Sequence, residues 1–572
     1  MRLRVIDFFC GAGGFSEGFR QQGFEIVMGI DNWKPAILTH NLNHNLSDVP
    51  RNVLDFEGEV ELINALPNTE MIIGSPPCVN FSMSNQAGKA DKSLGVRLIE
   101  VYLRVVAVKK HQPGSVLQAW LMENVPNSRN FVKETYTFSD LNLGEWAKSI
   151  GLNPKQEALN VKDNGGIFTA SEYGSPQSRQ RFICGEIVST GKFPEPIKTH
   201  GKQADFFGTV PYITLGDIKQ RMPSPVSYKE NEQWHDPNYP NLIVKSLELS
   251  DHFYDTGLYA VEWEKARFFK VNHPFMGRMS FPEDENKPGR TVMATRSAST
   301  REALIFKSER NRKGDGEYRL PTIREVSTLM GFPYTYQFVG GEGTKWRLIG
   351  NAVCPHIAAA LAKEIRKELG LNPISDSQVI FPNIFNNNSN IENLNNPNAI
   401  SFNAPPKKKK GAKFRMHPFK DGNMTVSLTN FDPNKENSPE TNGQKWYCSV
   451  FLGSGKDFTA VNISKSIIAK TEKMIKDLPN GHRFMSDFKK RFNGKIGTYQ
   501  QLQTLLESNK SNEGKTFGPI SLIEEIATFI KPYDLKNEII EDVKLTGFKK
   551  DKFPKKQLFA IWAIGHIVYK DS

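Results

Sequence analysis

The chain is poor in cysteine, with five in 572 residues at positions 10, 78, 184, 354 and 448 and no Cys-x-x-Cys pair among them. That spacing points to neither a zinc centre nor a disulfide framework. Long apolar runs are also missing. The best candidate, "LFAIWAIGHIVY" from Leu558, carries a His and falls short of the roughly 18 residues that span a bilayer. The opening "MRLRVIDFFCGAGG" passes directly into a strand and a glycine turn, without the apolar core of a secretory leader. No internal repeat is present. These absences predict a soluble, cytoplasmic chain with no resident metal and no membrane partner. A hydrophobic content of 38% is enough to build real cores, and the length suggests several compact units.

Positive charge is abundant but local. The formal net charge is +12, and residues 401–572 hold 30 Lys and Arg against 18 Asp and Glu, which accounts for all of it. A basic module of this kind favours polyanions through phosphate neutralisation, or else is a solvated surface.

The first 190 residues alternate strand and helix signals. "RLRVIDFF", "FEIVMGID", "MIIGSPP", "AWLMENV" and "RFICGEIV" read as strands, and "FSEGFRQQ", "WKPAILTHNLNHN" and "VRLIEVYLRVVAVKK" have helical spacing. This alternation predicts an α/β fold, a parallel sheet with helices on both faces. Residues 1–199 form one expected domain, completed by 316–372, where helical patterns return. Residues 200–315, rich in Pro and aromatics, form a loop-rich domain. Residues 373–412 are an Asn- and Pro-rich linker ending in "KKKK", and 413–572 a small α+β accessory domain.

Several strand ends carry chemistry. "DFFCGAGGFSEGF" places a glycine turn between strand and helix, where backbone can approach a ligand closely. Asp31, ending the next strand, can accept hydrogen bonds from ribose hydroxyls of a nucleoside cofactor. Asp55 in "NVLDF", at an expected third strand end, can receive an exocyclic amine; either Asp can equally cap a helix. "GSPPCVNFS" follows an apolar run, and its two prolines stiffen a loop that presents Cys78, which a bland reading would bury. "MENVPN" ends a strand with Glu123, whose pKa partial burial would raise. "PQSRQRF" sets Arg179 and Arg181 two apart, on one face of a strand. "LIGNAV" makes a Gly-Asn turn before a helix.

Taken in order, these motifs resemble the DNA cytosine-C5 methyltransferases. The likeness covers roughly 1–195 and 315–370. It implies a class I S-adenosylmethionine-dependent methyltransferase sheet, Rossmann-like, with 200–315 as the target-recognition domain. It also implies that the Cys78 thiolate adds to C6 of a flipped cytosine, so that C5 can take a methyl group. Glu123 would then assist at N3 and Arg181 at O2, while Arg179 holds the Cys loop or a phosphate. Phe9, Gly11, Ala12, Gly13, Gly14, Asp31, Asn32, Asp55, Pro76 and Asn351 would surround S-adenosylmethionine. Ser82, Asn124 and Gln177 would meet the double-stranded DNA substrate. Arg290, Arg296 and Arg301, flanking "TVMATRSAST", are candidate DNA contacts by phosphate or guanine edge.

The chain departs from the family's usual pattern in three places. Val79-Asn80 stands where Gln-Gly is common, Asp31 where Glu is frequent, and Cys354 where a proline is common. A tRNA cytosine methylase, one branch of the family, is an alternative; against it stand the long recognition region and the absence of that branch's Phe-Thr after the cysteine. A nuclease or DNA-binding module fused at 413–572 is another. Family habit further suggests a restriction or phage-defence setting, with a partner protein to match.

Overall fold

The computed structural model describes residues 2–77, 92–204, 208–229, 231–258, 260–272, 277–310, 318–382, 413–421, 424–432, 445–452, 459–508, 512–534, 538–541 and 552–569. The chain divides into two compact units, Met1–Gly257 with Lys270–Ile400, and Leu258–Phe269 with Ser401–Ser572.

The first unit is built on β1 (Arg4–Phe8), an apolar strand with a single acid, Asp7, that is buried on both faces. It pairs in parallel with β2 (Glu25–Ile30) on one side and β3 (Met71–Gly74) on the other. Next to β3 lies β4 (Ala119–Asn124), also parallel. β5 (Gly165–Thr169) and β6 (Gln180–Ile187) complete the sheet in the order β2-β1-β3-β4-β6-β5. β6 runs antiparallel to both β4 and β5, so the expected parallel sheet holds for four strands and the segment "RFICGEIV" enters reversed. The short link from β5 to β6 contains one 3₁₀ turn, too little for the helical crossover that parallel pairing requires. The ends of β1 to β4 and the beginning of β6 therefore lie along one edge of the sheet.

Two contacts fix the helices that flank this edge. The helix Lys92–His111 lays Tyr102 under the sheet, where its hydroxyl donates to the Leu121 carbonyl at 2.7 Å. Phe8 stands edge-on to both Tyr102 and Phe56, with ring centroids 5.8 Å apart in each case. On α1 (Gly14–Gln21), Gly18 lets the helix Pro355–Glu368 come close, since a Cβ there would fall 2.4 Å from that of Ala358. Residues from the 316–372 stretch thus pack on the first helix of the chain.

The described residues of 200–257 and 272–310 form short paired strands, such as Gln233–His235 with Ile243–Lys245, and the capped helix Leu215–Arg221. Polar ties compensate for the sparse ladder. Arg319, 2% exposed, is held by Glu309 and Glu325, and the fully buried Lys270 pairs with Glu283 at 3.1 Å.

The second unit has a four-stranded antiparallel meander, Arg415–Asp421, Met424–Thr429, Tyr447–Leu452 and Thr459–Asn462, packed with helices. The apolar "LFAIWAIGHIV" is the centre of this unit's core, inside the helix Lys555–Val568. Phe559 stacks on Phe484 at 4.2 Å. Among the described residues, no helix is long and apolar enough to cross a membrane.

Candidate active site

The sheet edge gathers most of the sequence-selected residues. Glu123 and Asn124 end β4, and the antiparallel register brings Arg181 of β6 beside them. Arg181 Nε lies 2.7 Å from Glu123 Oε1, with the two side chains 12% and 7% exposed. Burial pushes the Glu123 carboxyl above the ordinary range, while Arg181 and Arg179 pull the other way.

The loop that leads to Cys78 is tied down on both sides. Ser75 donates its N–H to the Phe8 carbonyl at 3.0 Å and its hydroxyl to the Phe9 carbonyl at 3.0 Å. Asn124 Nδ2 donates to the Pro76 carbonyl at 3.0 Å. The Pro-Pro segment is thus clamped between the ends of β1 and β4. Cys78 and Ser82 lie outside the described residues. The four described cysteines, Cys10, Cys184, Cys354 and Cys448, are free and buried.

The other half of the edge is the glycine turn. Phe9 adopts φ +54° and is half-exposed, a conformation that costs a non-glycine residue about 1 kcal/mol or more. Gly13, at φ +85°, cannot carry a side chain, since a Cβ would sit 2.5 Å from the Tyr336 hydroxyl. Asp31 closes the turn, with Oδ2 accepting the Gly11 N–H at 3.1 Å and Oδ1 the Trp33 N–H at 2.8 Å. Burial raises its pKa, opposed by these N–H groups and by Arg347, whose guanidinium lies 4.7 Å over the Trp33 ring. Asn32 and Asn351 are exposed, the latter as the last residue of the helix Glu342–Asn351.

Several expectations need correction. Asp55 does not end a strand. Val53–Glu57 is a 3₁₀ helix capped by Asn52, whose Oδ1 accepts the Leu54 N–H, and Asp55 is exposed on it. Ala12, Gly13 and Gly14 are buried, Ala12 with its carbonyl accepting from Tyr336 at 2.5 Å, so only Gly11 of the four turn residues keeps open surface. Asn124 is 1% exposed and spends its amide on the Pro76 carbonyl and the Val125 N–H, which ties it to the loop before Cys78.

Gln177 is fully buried, donating to the Leu329 carbonyl and accepting from the Val292 N–H. Arg179, 2% exposed, donates to the carbonyls of Val292, Gly350 and Ala352 at 3.2, 3.1 and 3.0 Å. It precedes β6 rather than sharing a strand face with Arg181, and it joins three segments of the unit. Arg290 is ion-paired with Glu283, and Arg296 with Glu342 at 2.9 Å, so both candidate DNA contacts already have carboxylate partners.

One polar cluster escaped sequence reasoning. Behind the turn, Ser16 Oγ lies 2.7 Å from Asp7 Oδ2 and 2.9 Å from His40 Nε2, all three fully buried. If the hydroxyl donates to Asp7, His40 must carry its proton on Nε2. Burial raises Asp7 to about 7 and lowers His40 to about 3. A lone acid inside an otherwise apolar strand, "RVIDF", was the available signal.

A sheet of this order, with a glycine turn after β1 and an acid after β2, defines a class: the S-adenosylmethionine-dependent methyltransferases of the Rossmann-like kind. The chain belongs to the C-5 cytosine-specific DNA methylase family, whose sequence model matches residues 3–367. Among its relatives, Type II methyltransferase M.HgiDI of Herpetosiphon aurantiacus is 28% identical over 67% of this chain and 100% of its own. Type II methyltransferase M.MthTI of Methanothermobacter thermautotrophicus is 28% identical over 64% of this chain and 98% of its own. The solved structure of S. pombe Dnmt2 methyltransferase matches 65% of this chain and 100% of its own, at 15% identity and a TM-score of 0.38. The chain is accordingly a DNA cytosine-C5 methyltransferase that takes its methyl group from S-adenosylmethionine.

The residues present suit that cofactor. Phe9 is half-exposed after the end of β1, and Asp31, after the end of β2, presents a carboxylate whose oxygens accept the Gly11 and Trp33 N–H groups. Among the described residues, no group of three His, Cys, Asp or Glu side chains could hold a metal ion.

Proposed function

We propose that this chain is the modification half of a restriction or defence system in the cytoplasm, methylating one cytosine within a short duplex motif. The observation that supports this most is the convergence at one sheet edge. The anchored Pro-Pro loop, the buried Glu123–Arg181 pair and the Phe9–Asp31 turn all lie at the ends of adjoining strands. The relatives' printed description as Type II methyltransferases supports the biological setting.

In this reading Cys78 forms a bond from its sulfur to C6 of a cytosine rotated out of the duplex, and the displaced electron pair makes C5 nucleophilic. Glu123, whose proton affinity burial raises against the pull of Arg181 and Arg179, gives a hydrogen to N3 and increases the electrophilicity of C6. Arg181 holds the carboxyl in place and faces O2. Asn124 and Ser75 keep the loop within reach, which is a matter of positioning rather than chemistry. S-Adenosylmethionine, when bound, supplies the electrophilic methyl group; Phe9, Gly11 and Asp31 would hold it, with Asn32 and Asn351 exposed nearby for further contact. The segment around 290–301 reads the DNA motif.

Bisulfite sequencing of DNA from methylation-free bacteria expressing the chain tests this reading. One cytosine in one short motif should be protected, and Cys78→Ala should abolish the protection. Unmodified DNA from well-expressed protein would contradict it and turn attention to tRNA.

A further inference from the structure

The family match ends at residue 367, so it does not account for residues 401–572, which make up most of the second unit. That unit carries an open cleft of about 540 Å³ lined by Lys490, Arg491, Lys495, Phe529, Pro532 and Tyr533, and by Asp487 and Thr528. Its two halves come from the end of the helix Gly481–Phe492 and the end of the helix Pro519–Ile530.

The charges in the cleft do not cancel. Asp487 accepts the Tyr533 hydroxyl at 2.6 Å and faces Arg483 at 3.6 Å, so the only acid of the lining is already engaged. Arg491 is paired with Glu525 at 2.8 Å. Among the described residues, neither Lys490 nor Lys495 has an acidic partner. Lys490 is exposed and Lys495 half-exposed, with its ammonium 5.9 Å over the Phe517 ring. Two uncompensated ammonium groups in one cleft lower the cost of binding a polyanion and attract it at a distance.

The floor is rigid and aromatic. Phe529 packs against Phe484, Phe492 and Tyr533 with ring centroids 5.5, 5.8 and 5.3 Å away, and the exposed Pro532 and half-buried Tyr533 form the lip. Lysines beside an aromatic and proline surface match a phosphate and the apolar face of its sugar, the parts of a nucleotide that a duplex leaves exposed. The volume suits one nucleotide unit rather than a folded partner. A divalent cation is disfavoured, because the single carboxylate is spent.

We propose that this cleft is a second DNA-binding site, in which Lys490 and Lys495 neutralise backbone phosphates of the duplex on which the enzyme works. It reads no sequence. It adds sequence-independent affinity to a methyltransferase whose other residues, outside 401–572, carry no net charge.

The test uses the full-length chain and a fluorescein-labelled duplex of roughly 30 A·T base pairs, which offers no cytosine. Its Kd is measured over a series of KCl concentrations. Each lost phosphate contact flattens the log–log salt slope by about 0.9, so Lys490→Glu with Lys495→Glu should flatten it by about 2 and weaken binding about tenfold or more at low salt. The paired Gln substitutions should give a smaller change in the same direction. Lys445→Glu with Lys473→Glu makes the same charge change on exposed lysines that do not line the cleft and should leave the slope near that of the wild type. kcat on saturating cytosine-containing DNA should stay unchanged in every variant. An unaltered slope in the cleft variants would overturn the proposal. So would an equal change in the control pair, which would mean diffuse charge rather than a site, or a fall in kcat, which would place the lysines in the methylation step.

Discussion

Replacing Glu123 with Gln should lower kcat for DNA methylation by about 10²–10⁴, the range over which a positioned proton donor acts. The side chain is 7% exposed and lies in a strand-end pocket beside Arg181. Gln keeps the shape and can still donate a hydrogen bond through its amide N–H but has no acidic proton to give. DNA affinity should therefore change little, and the loss should fall on kcat. The pH profile distinguishes this from mere misplacement. Burial raises the Glu123 pKa, so the hydrogen-donating form is present below that pKa and is lost as pH rises through it. A free thiol has the opposite demand, since only its thiolate, favoured as pH rises, attacks. The wild-type profile should be bell-shaped, and Glu123→Gln should keep the ascending limb only. Single-turnover kinetics across pH would measure both, and an unchanged descending limb in the variant would remove Glu123 from the proton-transfer role.

Arg179→Met should produce the largest loss of stability, about 3–5 kcal/mol in denaturant unfolding of the first unit. The guanidinium is buried and serves the carbonyls of Val292, Gly350 and Ala352. Met roughly keeps the volume but leaves three buried acceptors without these donors, each costing about 1–3 kcal/mol with incomplete additivity. These carbonyls belong to two segments distant in sequence from β6, so the variant should loosen the 290s loop and the turn before the helix Pro355–Glu368 together. Hydrogen exchange at both places would show it. A loss below about 1 kcal/mol would mean that water or a neighbouring donor takes over the carbonyls.

What the sequence disclosed was set by local pattern. β1 to β4 and the first two helices were legible because their apolar runs and spacings are regular, and the glycine turn showed itself by composition. The edge strand Arg415–Asp421 was not, since "RMHPFKD" has a proline and a register shift between Met416 and Phe419 that destroys the alternation. β5 was hidden by the two glycines of "GGIFT".

At the site, Glu123 and Arg181 were selected from sequence and are found in contact, yet the division of labour between neighbours was invisible. Arg179 and Arg181 look alike on paper; only the distant carbonyls of 292, 350 and 352 make one a brace and the other the Glu123 partner. The burial of Asn124 and Gln177 was invisible for the same reason, because their partners at Pro76, Leu329 and Val292 come from elsewhere in the chain. Asp55 was misplaced because "NVLDF" has a strand-like composition, but an Asn cap bends it into a 3₁₀ turn.

The central claim is that the sulfur of Cys78 attacks cytosine C6 from the loop anchored by Asn124. A duplex carrying 5-fluorocytosine at the modified position tests it most directly. Fluorine at C5 blocks the proton removal that would release the thiol, so the sulfur–C6 bond should persist. Incubation with the enzyme and S-adenosylmethionine, followed by proteolysis and mass spectrometry, should place the nucleotide on the peptide containing Cys78 and yield no adduct with Cys78→Ala. An adduct on another residue, or none from an enzyme that methylates normal DNA, would contradict the account.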